Sequence, residues 1–233
     1  MWNNIKQETL QQAIYALGKE ENQVAEVELL AVTPDAEKLI ELAGRTCYLS
    51  HDRSQPGSEQ RFIRMLLRHE HLSVLEHAYA TFRIKGGSRA FTHQIVRHRL
   101  ASYSQQSQRY VSETSFDYVE PDTIRDNPAA HQRYEELMEE IRQAYGELQQ
   151  LGVPKEDARF VLPNAATSEI IISANLREWR HIFSVRCEVH AQWEIRTICL
   201  QMLELLQEAI PTVFSDFVID KERMVAQRDR STD

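Results

Sequence analysis

The sequence is short of several features that would assign a chain of 233 residues to a class at once. Only 7 glycines and 7 prolines are present, so low-complexity linkers are not expected. No run of about 18 apolar residues occurs, which argues against a membrane span. The first residues lack the basic-then-apolar pattern of a secretory signal, and we therefore expect a cytosolic protein.

Cysteine is also scarce. The three thiols, Cys47, Cys187 and Cys199, show no CxxC spacing and cannot all pair with one another. Our first interpretation of each is a reduced thiol packed in the core. Cys187 follows Arg186, so a reactive thiol of lowered pKa is a second interpretation for that residue.

Acidic residues are missing from one long stretch of an otherwise acidic chain. The net charge of −8 argues against general nucleic-acid binding through Lys and Arg. From residue 77 to residue 112, however, there are six Lys or Arg and neither Asp nor Glu. Within it, RHRLASYSQQSQRY (97–110) carries Arg97, His98, Arg99 and Arg109. Either acids reach these bases from elsewhere in the fold, or the stretch binds a small anion.

The hydrophobic pattern predicts an α+β fold with a mainly antiparallel sheet packed with long helices, in a single oligomeric domain over residues 1–233. Strand patterns occupy 24–34, 77–85, 115–121 and the start of 167–176. Helical patterns follow Thr33, span 58–70, 88–99 and 127–152, begin again near 175, and end before Pro211. A polar loop is expected at 100–112, and a flexible tail after Asp220.

Helix starts are expected where a polar side chain can accept a free amide. Thr33, Ser58 and Ser88 are the candidates in the first half of the chain. Asn175 and Glu178 have the spacing of a capping box for a later helix.

The two arginines of the RHR triplet can also be explained by a structural role at a helix end. Gly86-Gly87 is predicted to end the strand, and a helix from Ser88 then runs to about Arg99. Arg97 and Arg99 would in that case stabilise a helix C-terminus, where cations are favourable.

Common catalytic motifs are absent: there is no HExxH, GxSxG, GxGxxG or GxxxxGK[ST]. Ser107 could be a nucleophile or a hydrogen-bond donor to an anion, and we favour the donor. Arginine forks with nearby hydroxyls suit phosphate, so the stretch predicts a site for a nucleotide or nucleotide-like cofactor. A metal site is disfavoured by the arginines that lie between the candidate imidazoles, which are His69, His71, His77, His181 and His190.

The RHR triplet followed by Ser107 resembles the signature of the flavin-dependent thymidylate synthases. HLSVLEH (71–77) is similar to the family's histidine-bearing segment. ARFVLP (158–163), the triplet 175–177, and Arg186 with HAQWEI (190–195) are similar to its C-terminal half. The resemblance covers roughly residues 69–200, with several motifs in the same order.

The resemblance implies a reductive methylation. Methylenetetrahydrofolate gives a methylene group to dUMP, and FAD reduced by NADPH delivers the hydride, so that dTMP and tetrahydrofolate form. It also implies a homotetramer whose sites are completed by neighbouring subunits. From the charge, the hydropathy and the arginines between the histidines, we expect no nucleic acid, membrane or metal to take part.

The same resemblance implies site residues. Arg186 would be the catalytic residue, because a fixed guanidinium can stabilise negative charge that builds on the uracil ring. The residues implied to hold dUMP are Gln94, Ile95, Val96, Arg97, Gln105, Gln106, Ser107, Gln108, Arg109, Arg159 and Arg186. Those implied to contact FAD are His71, Ser73, Arg97, His98, Arg99, Gln105, Asn175, Leu176, Arg177, His181 and His190, the last on the flavin or folate side.

Two other hypotheses stay open on the sequence. A metal-dependent nucleotide phosphohydrolase would use His71, His77, His98 and His190, and chelators would inactivate it. A non-catalytic nucleotide-binding or interaction protein would bind dUMP or another anion, but FAD and NADPH would give no turnover.

Overall fold

The computed structural model describes residues 25–229. A four-stranded antiparallel sheet is formed by β1 (Glu26–Val32), β2 (Tyr79–Ser88), β3 (Ala101–Gln105) and β4 (Thr167–Asn175), in the order β1-β2-β4-β3. The expected α+β class with an antiparallel sheet is confirmed. Val24, the first residue of the predicted strand 24–34, and the first residues of the chain, on which we based the absence of a signal, lie outside the described range.

The helices in the described range are α1 (Ala36–Thr46), α2 (Ser58–Arg68), α3 (Arg89–Ile95), α4 (Asp122–Arg125), α5 (Pro128–Gln150), α6 (Lys155–Ala158), α7 (Leu176–Arg186) and α8 (Trp193–Ala209). Three short 3-10 segments lie at His51–Arg53, Leu72–His77 and Arg159–Val161. Within residues 25–229, no helix is both long enough and apolar enough to cross a membrane.

One face of the sheet is buried and the other is polar, as an antiparallel sheet permits. Phe82 and Ile84 of β2 are fully buried and share a core with side chains of α1, α2, α3, α7 and α8. On the opposite face, Arg83 pairs with Glu169 of β4 at 2.7 Å and with Glu28 of β1 at 3.8 Å. The strand predicted from the pattern of residues 77–85 is therefore confirmed, and its side chains alternate between a buried and a polar face.

The prediction that Gly86-Gly87 ends the strand is wrong. β2 continues through both glycines, with a register shift against β4 between Ile84 and Gly87. Gly86 adopts a φ of +78°, which glycine accepts without strain, so it can sit in the irregular stretch. A Cβ at Gly87 would lie 2.8 Å from the ring of Phe91, so the absent side chain lets α3 pack closely.

Two of the predicted caps are confirmed. Ser88 Oγ accepts the amide of Phe91 at 3.0 Å, and Asn175 Oδ1 accepts the amide of Glu178 at 2.8 Å. The carboxylate of Glu178 does not complete a capping box, because it faces His98 Nδ1 at 3.7 Å.

Two other caps were predicted wrongly. Thr33 Oγ1 accepts the amide of Tyr79 at 2.9 Å and so joins β2, while Asp35 precedes α1 with a φ of 48°. Ser58 is the first helical residue of α2 rather than its cap, and its hydroxyl donates to Glu41 Oε1 at 2.6 Å. In both cases the hydroxyl group forms a hydrogen bond with a residue distant in sequence instead of capping the helix.

The region after α3 also differs from the prediction. α3 ends at Ile95 instead of continuing to Arg99, and the expected polar loop contains β3. The hydroxyl of Tyr103 on β3 meets the carbonyls of Ile95 and His98 at 2.7 and 2.8 Å, which satisfies two acceptors at the helix end. Residues 115–121, predicted as a strand, form only one bridge, from Tyr118 to Ala166.

The tail after Asp220 is not frayed over its described part. β5 (Phe217–Asp220) and β6 (Val225–Arg228) form an antiparallel hairpin. Asp216 pairs with Arg180 of α7 at 2.6 Å and with Arg228 at 3.0 Å, which anchors this hairpin. Burial alone would raise the pKa of Asp216, but the hydrogen bonds and charges of the two arginines hold it below its ordinary value. Residues 230–233 lie outside the described range.

The thiols divide between core and surface. Cys187 and Cys199 are buried as expected, whereas Cys47 is exposed and the core interpretation is wrong for it. Burial raises the pKa of Cys187 to about 12, so this thiol does not have the lowered pKa of a reactive cysteine.

Candidate active site

Arg97 and Arg99 lie in the turn between α3 and β3. Both are exposed, and within residues 25–229 their side chains make no hydrogen bond, ion pair or ring contact. They do not belong to α3, so the helix-end explanation does not account for them. No carboxylate of the described residues pairs with them, and both guanidinium groups remain available for an anion.

Arg186, the last residue of α7, reaches the same turn. Its Nε donates to His98 Nε2 at 3.0 Å, and its Nη2 donates to the carbonyl oxygen of Gln94 at 3.2 Å. Both acceptors are neutral, so they orient the guanidinium without cancelling its charge. Since Arg186 is half-buried, that charge is less screened than it would be in bulk water.

His98 is almost entirely buried beneath Arg186. Burial, followed by the charges of Arg186 and His181, lowers its pKa to about 4. The imidazole is therefore neutral near pH 7, as its role as an acceptor requires. Its ring meets that of His181 edge-on, with centroids 5.6 Å apart.

Glutamines of the segment 105–108 form hydrogen bonds inside the protein. The amide nitrogen of Gln105 donates to Thr92 Oγ1 at 3.1 Å and Ser168 Oγ at 3.2 Å, which holds α3 against β4. Gln106 donates to Glu113 at 3.2 Å, and Gln108 is buried. Sequence reasoning gave no sign of these internal bonds.

Ser107 has the surroundings of a binding hydroxyl. Its Oγ accepts the amide of Arg109 at 3.3 Å, and within residues 25–229 no imidazole or carboxylate hydrogen-bonds to it. A nucleophilic serine needs such a base, so the donor interpretation is the better supported one.

A second group of cations lies near that loop. Arg109 donates to the Glu156 carboxylate at 3.1 Å, and Arg159 donates to the Glu156 carbonyl at 3.0 Å. Arg89 belongs to the same group. Burial, and then the nearby charge of Arg159, lower the pKa of Arg89. Arg89 was not among the predicted site residues, although its place in the acid-free stretch was a usable signal.

The predicted FAD residues fall in two adjoining segments. His71 and Ser73 are exposed at the 3-10 turn before β2, and Arg177 at the start of α7 is exposed and pairs with Glu76 of that turn. Asn175 is used as the α7 cap. His181 is exposed one turn further along α7.

Four further predicted residues are less accessible than these or make no contact with the other site residues. Ile95 and Leu176 are fully buried, so in this structure neither presents a surface that a ligand could touch. Val96 is partly exposed beside Arg97. His190 is exposed in the turn between α7 and α8, and no contact joins it to the other site residues within the described range.

The site suits phosphate-bearing ligands. Unpaired guanidinium groups, exposed imidazoles and a serine hydroxyl are donors that fit a nucleotide phosphate and a dinucleotide pyrophosphate such as that of FAD. Among residues 25–229, no three His, Cys, Asp or Glu side chains are arranged to hold a metal ion, so the phosphohydrolase hypothesis finds no ligand set there. Fold and site together define an α+β protein with an arginine-rich candidate site whose donors suit nucleotide-like anions.

Comparison with known proteins narrows this class. The chain matches the family described as thymidylate synthase complementing protein over residues 28–212. The flavin-dependent thymidylate synthase of Geobacter sulfurreducens is 45% identical over 198 residues, covering 82% of this chain and 85% of the relative. That of Nitratidesulfovibrio vulgaris is 42% identical over 217 residues, covering 85% and 89%. That of Corynebacterium glutamicum is 39% identical over 213 residues, covering 84% and 85%. The chain belongs to the flavin-dependent thymidylate synthase family, and the resemblance seen in its motifs is confirmed.

Proposed function

We propose that the protein converts dUMP to dTMP by reductive methylation, with methylenetetrahydrofolate as one-carbon donor and with FAD reduced by NADPH. Family membership supports the reaction. The single structural observation that carries the assignment of roles is Arg186, a half-buried guanidinium fixed by two neutral acceptors next to the unpaired Arg97 and Arg99.

The nucleotide phosphate is assigned to the loop that follows β3. Ser107 supplies a hydroxyl, and Arg109 and Arg159 supply guanidinium groups that share Glu156 in this chain. Such groups pair with phosphate oxygens and hold the nucleotide in one orientation. Holding the base in place reduces the entropic cost of the methyl transfer.

Arg186 is assigned to the pyrimidine. Attack by C5 of uracil on the one-carbon unit requires negative charge on the ring, and a preorganised guanidinium stabilises that charge as it develops. His98 and Gln94 keep the guanidinium aimed, so little reorganisation is needed during the reaction.

FAD is assigned to the exposed histidines and arginines around the α7 N-terminus and the 3-10 turn Leu72–His77. Arg97 and Arg99 offer charge for the pyrophosphate, and His71 and His181 offer ring nitrogens. When bound, FAD supplies the hydride that completes the methyl group. The protein contributes position and charge.

A homotetramer with shared sites belongs to the same proposal. Phe160 is 84% exposed and Tyr110 is 75% exposed, and each directly follows an arginine assigned to dUMP. Large apolar side chains next to binding residues are suited to contact with another subunit. The cytosolic location expected from the sequence stays a prediction.

Purified protein should contain a flavin and should oxidise NADPH faster when dUMP and methylenetetrahydrofolate are added, with dTMP as the product. Visible flavin absorbance, NADPH consumption and chromatography of nucleotides measure these three properties. A colourless preparation that also fails to take up added FAD would overturn the proposal. Binding of dUMP without turnover would instead support the non-catalytic hypothesis.

A further inference from the structure

One buried carboxylate next to the site has no role in the function described above. Glu178 lies two turns before Arg186 on α7 and is only 5% exposed. Its Oε1 faces His98 Nδ1 at 3.7 Å, while the other ring nitrogen of His98 accepts Arg186 Nε at 3.0 Å. The imidazole therefore lies between a carboxylate and the guanidinium assigned to the substrate.

The geometry decides which nitrogen of His98 carries the proton. Arginine has donors only, so His98 Nε2 must present its lone pair to Arg186. The ring is neutral, and its one proton is then on Nδ1, the atom that faces Glu178. At 3.7 Å the contact is longer than a hydrogen bond, so the Glu178 oxygen acts on the Nδ1 proton by electrostatic attraction, which the partially negative oxygen of an amide at the same place would also exert, more weakly.

The opposite tautomer would undo the arrangement. A proton on Nε2 would point at Arg186 Nε–H, so two donors would meet and the hydrogen bond would be lost. Arg186 would then be held only through the carbonyl oxygen of Gln94. A carboxylate on the Nδ1 side disfavours this tautomer, in the way that outer partners fix histidine tautomers at metal sites.

We infer that Glu178 is a positioning residue, whose carboxylate keeps His98 in the tautomer that accepts Arg186 and thereby aims the guanidinium at the pyrimidine. The inference rests on the proposed function for its effect on turnover. It does not rest on it for the protonation of His98, which can be measured separately.

The first experiment measures that protonation directly. Protein with ¹⁵N-labelled histidine, purified with its bound cofactor, is studied by long-range ¹H–¹⁵N NMR, with His98→Gln used to assign the signal. The wild type should carry its proton on Nδ1. Glu178→Gln should do the same, because its carbonyl oxygen still faces Nδ1, whereas Glu178→Ala should show Nε2 protonation or a mixture. A wild-type His98 with its proton on Nε2 overturns the inference, whatever the enzyme turns out to catalyse.

The second experiment measures turnover. Glu178→Ala should lower kcat by about 10- to 100-fold, as loss of an outer partner does at other sites, with a smaller change in the KM for dUMP. Glu178→Gln should restore most of the rate. Glu41→Ala is the control, because Glu41 is a buried carboxylate bonded to Arg45 on α1 and should leave kcat near the wild-type value.

A double-mutant cycle separates this role from a loss of stability. If Glu178 acts through His98, adding Glu178→Ala to His98→Gln should cause little further loss of kcat. Full additivity of the two losses, or a wild-type rate in Glu178→Ala, would overturn the inference. A wild-type enzyme without dUMP-dependent turnover would count against the proposed function instead, and the NMR result would still decide the tautomer.

Discussion

At the scale of single residues, the neighbours of each arginine decide its use. Arg45 and Arg180 are buried in ion pairs with Glu41 and Asp216, both at 2.6 Å, so their charges are neutralised within the fold. Arg186 has only neutral acceptors, so orientation and charge are both preserved. An arginine can therefore be fixed in place by neutral acceptors and still keep its full charge for a ligand.

Replacing Arg186 tests this use. We expect Arg186→Ala to lower dTMP formation by roughly 10²-fold or more, as for loss of other donors to a developing negative charge. Single-turnover assays and dUMP titration separate the chemical step from binding. Arg133→Ala is the control, since Arg133 is exposed on α5 and pairs with Glu140. Normal dTMP formation by Arg186→Ala would show that another group activates the pyrimidine.

His98 should make stability depend on pH. Its pKa in the folded chain is lowered to about 4 from a usual 6.5, first by burial and then by Arg186 and His181. Between these values the unfolded chain binds a proton that the folded chain does not, so stability falls as the pH falls from about 6.5 to 4. The expected loss is roughly 3 kcal/mol per chain. Urea unfolding at several pH values should show a smaller acid loss in His98→Gln, and parallel curves for the two proteins would contradict the expectation.

At the scale of elements, α3 is short and is fixed at both ends. Ser88, its cap, donates its amide and hydroxyl to Glu194 of α8 at 2.7 and 2.6 Å. Tyr103 holds the other end through the carbonyls of Ile95 and His98. These contacts determine where the chain leaves α3, and so where Arg97 and Arg99 are presented.

Replacing glycine by alanine should change the stability of the protein in opposite directions at two positions. Gly87→Ala would place a Cβ 2.8 Å from the buried ring of Phe91, and we expect a loss of about 1–3 kcal/mol of stability. Gly146→Ala meets nothing within 4 Å in the interior of α5, and we expect a gain of about 0.5–1 kcal/mol. Denaturant unfolding of the two variants measures both values. A neutral Gly87→Ala would mean that α3 can move away from β2 at little cost.

Local patterns in the sequence predicted part of this arrangement. The alternation of β2, the long helical pattern of α5 and the caps Ser88 and Asn175 depend on neighbours in sequence, and the structure has them. The early end of α3 could not be read in this way, because it depends on the hydroxyl of Tyr103 from the next strand.

The same limit applies to the tail and to the site. The hairpin after Asp216 is held by Arg180 of α7, a contact that no local pattern reveals. Motifs selected Arg97 and Arg186, but the contact of Glu178 with His98 and the internal bonds of Gln105 exist only once the fold brings α7, β3 and β4 together.

At the scale of the whole molecule, the predicted site lies beside large exposed apolar side chains. Leu100, which directly follows Arg99, is 75% exposed, in addition to Phe160 and Tyr110. Their number near the dUMP residues is the structural reason to expect that one chain does not form the complete site.

We expect sedimentation to give a mass near four times the 27.2 kDa of one chain. Phe160→Asp should weaken assembly and lower turnover together, because a charge would be buried in the subunit contact. Leu49→Asp, at a residue 82% exposed in the turn after α1, shows whether any exposed apolar residue has the same effect. A monomeric wild type with full activity would contradict the shared site.

The strand order also has a consequence for biosynthesis. Within the described chain, β3 pairs only with β4. The ribosome finishes β3 at Gln105, but β4, the strand with which β3 pairs, begins only at Thr167. At the usual elongation rate of about 5–20 residues per second, neither edge of the nascent strand is paired for on the order of 3 to 12 seconds. We expect a chain translated slowly or at high density to aggregate at this stage, and ribosome-associated chaperones to improve its yield.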